Sequence, residues 1–481
     1  MSRICLTLTE KNLKSCFSVL NDHKHSIDLI ELRVDYLEVA QLKLLNDFKF
    51  DKPTILTYRK TVDGGFYSGD EGYRLSVIKD GLRSGNFSFV DLEEDLFAPE
   101  IENIAKENGV QIIRSFHDFN GVPKDLATKL INIKRTEDEI PKAAVMIKST
   151  SDLLEFYKEA FKIADEEKIL LGMGPVGFNT RVLAAKIGSY LTFCSKVGSS
   201  AAPGHVSPSL LTHIYRFNKI SKDTAVTGII GNPVMHTKSP GIHNAGYTKL
   251  GMDFVYVPFE TDDPKLFLEI ASLLELKGFS VTVPFKSDII EVLDSTTDSV
   301  KMIGACNTVT RINSKWIGEN TDYVGFINPL LKSYGKLQGK KVSVIGAGGS
   351  AKASLYALKK EGAEVLILNR TVEKAKDLSE QFGVEYAALN SENTTRVREF
   401  SDVIIQNTNA GMHPLEDIDP LAFYEFGGSE FLYDIIYTPE VTKFLNRGAD
   451  AGCKTLNGLE MLFEQGYRQF KLFTGFDYPK E

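Results

Sequence analysis

Short runs rich in β-branched and apolar residues alternate with helix-spaced stretches through the first part of the chain. Eight of these runs read as strands, over residues 4–8, 27–34, 53–59, 87–92, 110–114, 143–147, 168–171 and 190–193. Between them, residues 37–45, 101–107, 153–162 and 180–187 repeat apolar side chains at the interval of a helix with one buried face. Eight parallel-looking strands in series predict a closed (β/α)8 TIM barrel over 1–218, although an open doubly wound sheet shares the alternation. The polar positions favour the barrel. Glu31, Arg33, Asp35, Arg59, Glu93, His117 and Lys148 stand where strand runs end. In a barrel those ends open onto one rim, where residues remote in sequence surround one ligand.

The pattern changes at FNKISKD (217–223), a short polar stretch that reads as a linker. A new α/β unit begins with TAVTGII (224–230), and FVYVP (254–258) and FSVTV (279–283) supply further strands. KVSVI (341–345) then runs into GAGGSA (346–351), a strand closing on a glycine-rich turn and a helix start. There Gly346 permits the tight turn, Gly348 lets a pyrophosphate approach the helix N-terminus, and Ala351 is small enough for helix packing. An ordinary glycine-rich loop offers the same letters. The strand at 363–370 ends in Asn369 and Arg370, where NAD sites carry an acid that repels a 2′-phosphate. Arg370 can instead pair with that phosphate or stack on adenine, with Thr371 and, more weakly, Lys374 beside it, so NADP(H) is the expected cofactor. DVIIQNTNAGM (402–412) reads as a strand and a turn beside the cofactor, and GLEMLFEQ (458–465) has helical spacing.

At 481 residues the chain exceeds the size at which one core stops growing, which implies two or three domains. Its 43% hydrophobic and 25% charged residues are ordinary for a globular protein, and its formal charge of -8 argues against a general nucleic-acid or anionic-membrane partner. An anionic metabolite therefore needs a local basic pocket. No run approaches the ~18 apolar residues of a membrane span, and the opening residues lack the features of an export signal, so the expected location is the cytoplasm. Five cysteines, at 5, 16, 194, 306 and 453, form no C-x-x-C pair and no Cys/His cluster, so neither a disulfide framework nor a metal site is expected.

ELRVD (31–35), TYRKTVDGGFYSGDE (57–71), SFHDF (115–119), IPKAAVM (140–146) and the APG turn (202–204) together resemble type I 3-dehydroquinate dehydratases, over nearly all of the first 218 residues. The resemblance implies a barrel that removes water from 3-dehydroquinate through a lysine Schiff base, without metal or cofactor. It assigns Lys142 to the Schiff base and His117 to proton transfer. The chemistry suits them: a neutral amine attacks a ketone, and the iminium draws electrons from the neighbouring carbon. An imidazole near neutrality then takes that carbon's proton and returns one to the leaving hydroxyl. Arg59 and Arg181 resemble the substrate-binding arginines, with Glu31 and Arg33 as further pocket residues. Two positions depart from the family. Asp63 stands where a glutamate usually orients the histidine, shorter by one methylene, so either the backbone moves closer or water mediates the contact. AAPGH (201–205) replaces SAPGQ, which leaves Ser200 and His205 to supply the loop's polar contacts.

GNPVMHTKSP (231–240), VTVPFK (281–286), GACNT (304–308), GENTDYVG (318–325), GAGGS (346–350), NRT (369–371) and NGLEM (457–461) resemble shikimate dehydrogenases, from about 224 to 481. This resemblance implies reduction of 3-dehydroshikimate to shikimate with NADPH, in a two-lobed α/β unit with a Rossmann-like NADP domain. Lys286 and Asp322 are its expected catalytic pair. An ammonium stabilises charge developing on the carbonyl oxygen, while the carboxylate orients the substrate and shares the proton relay. Thr237, Ser239, Thr282, Asn307, Tyr437 and Gln465 match substrate-contact positions and offer hydroxyl and amide groups to a polyhydroxylated ring. Thr237 keeps the hydroxyl of the usual serine but adds a methyl, and Ser280 replaces a common asparagine. Gly346, Ala347, Gly348, Gly349, Ser350 and Ala351 form the expected cofactor loop, with Asn369, Arg370, Thr371, Lys374, Asn407, Gly411 and Met412 around it.

The two halves imply a bifunctional enzyme in which the product of one site is the substrate of the other. The alternatives are a dehydratase fused to a quinate or related hydroxy-acid dehydrogenase, and a ligand-sensing protein derived from these domains. The expected divisions are a barrel at 1–218, a substrate-binding domain at 224–335, an NADP-binding domain at 339–437, and C-terminal helices at 438–481 that return to the substrate domain. Small molecules are the expected partners, and the sequence leaves the oligomeric state open.

Overall fold

Along a strand, every second side chain points to the same face, and in the first eight strands that alternation builds the interior. The computed structural model describes residues 2–198, 204 and 206–480. Strands β1 (Arg3–Leu8), β2 (Leu29–Arg33), β3 (Thr54–Thr57), β4 (Phe89–Glu93), β5 (Gln111–Asp118), β6 (Ile140–Met146), β7 (Ile169–Met173) and β8 (Leu191–Cys194) run in the sheet order β7-β6-β5-β4-β3-β2-β1-β8. The last seam, between β7 and β8, carries one parallel bridge, Lys168 to Ser189, with the Tyr190 N–H donating to the Lys168 carbonyl at 2.6 Å. The predicted barrel is thus nearly closed.

Cys5, Leu29, Ile55, Phe89, Ile113, Ile140, Ile169 and Leu191, one from each strand, share its apolar core. Two positions further along stand Thr7, Glu31, Thr57, Asp91, Ser115, Lys142, Leu171 and Phe193, of which six are polar yet buried. Buried charges cost several kcal/mol each unless paired and hydrogen-bonded, so this layer has the character of a site.

Helices Pro99–Glu107 and Thr150–Lys162 cover two of the predicted stretches. Residues 37–45 yield only the short helix Val39–Leu42, and the helix predicted at 180–187 is cut short: Phe178–Val182 is helical and turns follow to Gly188. Gly188 has φ +68°, and a Cβ there would lie 2.2 Å from the Ala164 carbonyl oxygen, so close packing fixes the turn at a glycine.

FNKISKD is a packed joint. Phe217 and Ile220 are buried, and Lys186 Nζ donates to the carbonyls of Lys222 (2.7 Å) and Thr224 (3.0 Å). β9 (Ala225–Gly231) and β10 (Phe254–Glu260) pair in parallel, connected by helix Ser239–Lys249. They belong with the barrel to one compact unit, Met1–Leu276. Helix Thr150–Lys162 packs on helix Pro264–Leu273, and buried Thr150 ties the two segments, its hydroxyl 2.6 Å from Thr261 Oγ1 and 2.5 Å from Asp262 Oδ1.

The second unit is Lys277–Glu481. Its first layer contains β11 (Gly278–Val281), β12 (Ser295–Thr296), β13 (Thr308–Ile312) and β14 (Lys315–Glu319), antiparallel from β11 through β13 to β14, with β12 parallel beside β14. The nucleotide sheet contains β15 (Lys341–Ile345), β16 (Glu364–Asn369), β17 (Glu385–Ala388), β18 (Val403–Gln406), β19 (Phe431–Asp434) and β20 (Lys454–Leu456). All are parallel, in the order β17-β16-β15-β18-β19-β20. This is the doubly wound arrangement, whose order reverses between β15 and β18. Val342, Val344, Ile367 and Ile405 pack into one core, and Leu366, Leu368, Ile404 and Leu432 into another, so both faces are covered.

The tail differs from its expected course. β20 pairs with β19, and Phe444 and Leu445 of helix Lys443–Asp450 sit in the nucleotide core, which moves 438–456 out of the returning segment. Helix Leu459–Thr474 alone turns back. It packs on helix Asp322–Ser333, where a Cβ at Gly325 would lie 2.7 Å from Gln465 Cβ. Among the described residues no helix is long and apolar enough to cross a membrane, and no three His, Cys, Asp or Glu side chains gather as metal ligands. All five cysteines are free and buried.

Candidate active sites

Glu31, Arg33, Arg59, Asp63, His117, Lys142 and Arg181 border one cavity of about 590 Å³, solvent mouth included, with Phe119, Leu171, Met173 and Phe193 among its apolar walls. Ser200 and His205 lie outside the described residues. Lys142 projects from β6, its Nζ 2.8 Å from Asp91 Oδ2, 4.0 Å from Glu31 Oε1 and 4.4 Å from the Phe193 ring centroid. Arg59 reaches the same Asp91 oxygen at 2.8 Å, and also Ser115 Oγ at 2.9 Å and Glu93 at 3.5 Å. Ser115 donates to the other Asp91 oxygen at 2.5 Å. Glu31 accepts from Thr7 (2.9 Å) and Thr57 (3.0 Å), and Arg33 forks onto Asp35 at 2.7 and 2.9 Å. Asp91 is absent from the residues expected here. Its signal lies in FVDLE, where Asp91 and Glu93 occupy alternate positions of a buried strand and so share a face.

The charges in this cavity set one another. Burial opposes ionisation of Asp91, but Arg59 and then Lys142 outweigh it and hold the carboxyl well below the usual carboxylate range. Burial, then Arg59 and Lys142, push His117 well below its usual pKa, so the imidazole is neutral at pH 7. Its Nδ1 is buried without a hydrogen-bond partner among the described residues. Asp63 Oδ2 is in the same condition, and burial followed by Glu93 raises its carboxyl. The shorter acid therefore makes no direct hydrogen bond to the histidine. Burial also brings the Arg181 guanidinium down to about 10, the mark of a cation held away from water.

In the second unit, Lys286 Nζ donates to Asp322 Oδ2 at 2.6 Å. Asn307 Nδ2 donates to the other Asp322 oxygen at 2.7 Å, while Asn307 Oδ1 accepts the Thr321 N–H at 2.7 Å. Thr321 stands at the N-cap position of helix Asp322–Ser333 without a side-chain capping bond, so Asp322 begins the helix and the asparagine holds its carboxylate's angle. Ser280 donates to Gln469 Oε1 at 2.9 Å, and Gln469 Nε2 donates to Thr308 Oγ1 at 3.1 Å and the Asn307 carbonyl at 3.3 Å. Gln469, also unanticipated, lies one helical turn beyond Gln465 on helix Leu459–Thr474. Thr282 accepts the Phe285 N–H through its carbonyl at the turn leading to Lys286, and Tyr437 follows β19, exposed. Thr237 and Ser239 belong to the first unit, where their hydroxyls hydrogen-bond at 3.1 Å as helix Ser239–Lys249 begins.

The nucleotide loop fits a dinucleotide. Gly346 has φ +105°, and a Cβ there would lie 2.8 Å from Thr408 Cγ2, so the turn demands glycine. At Gly348 and Gly349 an added Cβ would meet nothing within 4 Å, which leaves open approach to the N-terminus of helix Gly349–Lys360. Buried Ala351 packs that helix on the sheet, and Ser354 donates to Asn407 Oδ1 at 3.1 Å, linking the helix to the turn after β18. Ala347 and Ser350 lie within the loop and are partly buried. Asn369 ends β16 and donates to the Thr371 carbonyl at 2.8 Å; Arg370, Thr371 and Lys374 are exposed beside it, and Arg370 has no ion-pair partner among the described residues. Gly411, at φ +96°, and Met412 follow Asn407 in the adjacent loop.

The sequence matches the type I 3-dehydroquinase family over residues 4–222 and the shikimate dehydrogenase substrate binding domain over 229–309. It further matches the shikimate / quinate 5-dehydrogenase family over 330–434 and the shikimate 5′-dehydrogenase C-terminal domain over 458–481. The chloroplastic bifunctional 3-dehydroquinate dehydratase/shikimate dehydrogenase of Arabidopsis thaliana is 33% identical over 505 residues, spanning 100% of this chain and 83% of that protein. The shikimate dehydrogenase (NADP(+)) of Caldanaerobacter subterraneus subsp. tengcongensis is 39% identical over 270 residues, 55% of this chain and 96% of its own. Among solved structures, the Listeria monocytogenes shikimate 5-dehydrogenase in complex with shikimate and NAD superposes with a TM-score of 0.52 at 29% identity, covering 54% of this chain and 95% of that one.

Proposed function

The chain belongs to the bifunctional 3-dehydroquinate dehydratase/shikimate dehydrogenase family, and from that premise we propose how its residues carry the two reactions. It is an enzyme of the shikimate pathway that dehydrates 3-dehydroquinate to 3-dehydroshikimate and reduces the latter, with NADPH, to shikimate. The dehydratase occupies 1–218; the dehydrogenase comprises a substrate lobe at 224–335 and the nucleotide domain from 339, here extended through β20. Small molecules are the partners in this scheme, the barrel works without a cofactor, and the location is cytoplasmic.

In the barrel, Arg181 receives the substrate carboxylate, since a desolvated guanidinium gains most from an anion. Arg59 is engaged by Asp91, Glu93 and Ser115 and acts mainly by shaping the field of the pocket. Lys142 attacks the ketone, and the iminium loosens a proton on the neighbouring carbon. Neutral His117 takes that proton and returns it to the departing hydroxyl. Glu31 and Arg33 border the substrate, and Asp63 reaches the histidine through water in place of the longer acid's direct contact.

In the dehydrogenase, NADPH supplies the hydride when bound. Lys286 hydrogen-bonds the carbonyl oxygen and gives it a proton, while Asp322, itself held by Asn307, keeps the ammonium aimed. Within the second unit, Thr282, Tyr437 and Gln465 contact the ring's hydroxyls and carboxylate. The loop 346–351 holds the pyrophosphate with Asn407, Gly411 and Met412 nearby, and Arg370, with Thr371 and Lys374, holds the 2′-phosphate.

The observation that carries the dehydratase assignment is the convergence of Lys142 Nζ, a neutral His117 and Arg181 on one cavity. Borohydride added during turnover of 3-dehydroquinate should attach substrate mass to the peptide containing Lys142; an unchanged peptide mass would reject the covalent role. Direct reduction of 3-dehydroquinate to quinate is the second reading of the dehydrogenase half. It is favoured by the match to a family described for both shikimate and quinate.

A further inference from the structure

We propose that Asp91 is the fixed counter-ion of the Lys142 nitrogen through the dehydratase cycle, partnering the ammonium before substrate binds and the iminium after it. The inference rests on the Schiff-base role of Lys142. A ketone and an ammonium give an iminium and water: the carbonyl C=O bond breaks, C=N forms, and two of the three ammonium protons leave in the water. The positive charge stays on one atom and no net proton is released. One stationary anion beside that atom can therefore serve both states.

Asp91 Oδ2 is the anion in hydrogen-bond contact, at 2.8 Å; Glu31 stands off at 4.0 Å and is occupied by two threonine hydroxyls. Asp91 is buried and held from two further sides, by Arg59 at 2.8 Å and Ser115 at 2.5 Å, which suits a fixed charge better than a moving base. Around it stand Glu31 on β2, Arg59 beyond β3, Glu93 on its own strand, Ser115 and His117 on β5 and Lys142 on β6. Against burial, Arg59 and then Lys142 keep the carboxyl ionised, so it does not retain a proton, and proton transfer falls to His117. Without the Asp91 charge, Arg59 and the Lys142 cation are left facing each other.

The test uses the full-length chain, its Asp91→Asn and Asp91→Glu variants, and two reductants. Cyanoborohydride traps the iminium and spares the neutral imine; borohydride traps both. Reduction of added 3-dehydroshikimate by NADPH, with the thermal denaturation midpoint, reports that the chain is folded. Asp91→Asn is expected to keep that reduction, to lose roughly 100-fold in dehydration kcat, and to yield the Lys142 cyanoborohydride adduct only in acid. Asp91→Glu should retain the adduct at neutral pH. Parent-level trapping by Asp91→Asn at neutral pH overturns the inference, as does an Asp91→Glu protein that traps no better than Asp91→Asn. If Asp91→Asn lacks reductase activity, Asp91→Glu decides: its neutral-pH adduct supports the counter-ion, and its loss in a reductase-active protein refutes it. Absence of any adduct in the parent chain would instead remove the Schiff-base role itself.

Discussion

His117 takes its basicity from its neighbours. Burial, Arg59 and Lys142 all act against its charged form, so the free imidazole persists below the ordinary value of 6.5. The kcat/KM for dehydration should stay level as pH falls through 6.5 and decline only below it; an acid limb centred at or above 6.5 would contradict the assignment. The same shift has a stability consequence. Below 6.5 the unfolded histidine binds a proton that the folded one refuses, so this group's contribution to stability is present above 6.5 and lost in acid. Arg370 poses a separate single-residue question, because it is exposed and lacks an ion-pair partner among the described residues. Arg370→Ala should raise the KM for NADPH by roughly 10-fold or more, as expected for loss of a charge-assisted contact of 1.5–3 kcal/mol, and leave that for NADH nearly unchanged. An unaltered NADPH/NADH preference would remove Arg370 from phosphate binding. The placement of both residues at or beside a strand end was legible in the sequence. Asp91 was not, because attention to strand ends passes over a charge one step below the rim, and only the inward alternation of a closed barrel turns FVDLE into a pocket wall.

Between elements, Gln469 does for the dehydrogenase layer what Ser115 does in the barrel. Its amide joins helix Leu459–Thr474 to β11 through Ser280 and to the start of β13 through Thr308 and the Asn307 carbonyl. Asn307 in turn orients Asp322. Gln469→Ala leaves those buried groups without their partner and should cost about 1–3 kcal/mol of stability, with a fall in kcat for 3-dehydroshikimate larger than any change in its KM. Unchanged denaturation and unchanged kcat would show that the amide carries no positioning role. The substitution of Ser280 for asparagine is visible in the sequence, but the length of side chain needed to reach Gln469 is fixed by packing between distant segments. Similar non-local causes account for other differences. The helix expected at 180–187 gives way before Gly188, where the Ala164 carbonyl leaves no room for a side chain. β20 has three residues and too few positions to reveal a period, so its place in the nucleotide sheet follows only from its pairing with β19.

Across the molecule, all eight barrel strands overlap runs read from the sequence, because a barrel repeats one local pattern and closure needs no information beyond it. The junction is less legible. FNKISKD looks like a polar spacer, yet it buries Phe217 and Ile220, and Thr150 bonds to the turn at 261–263, so the first compact unit runs on to Leu276. Short polar sequences give no sign of what will pack on them. One chain performs two consecutive reactions. The most direct test is product analysis of Lys142→Met given 3-dehydroquinate and NADPH, beside the parent chain. The parent should yield shikimate, whereas Lys142→Met should yield none from 3-dehydroquinate while still reducing supplied 3-dehydroshikimate at close to the parent rate. Shikimate formed from 3-dehydroquinate by Lys142→Met at the parent rate would contradict the account.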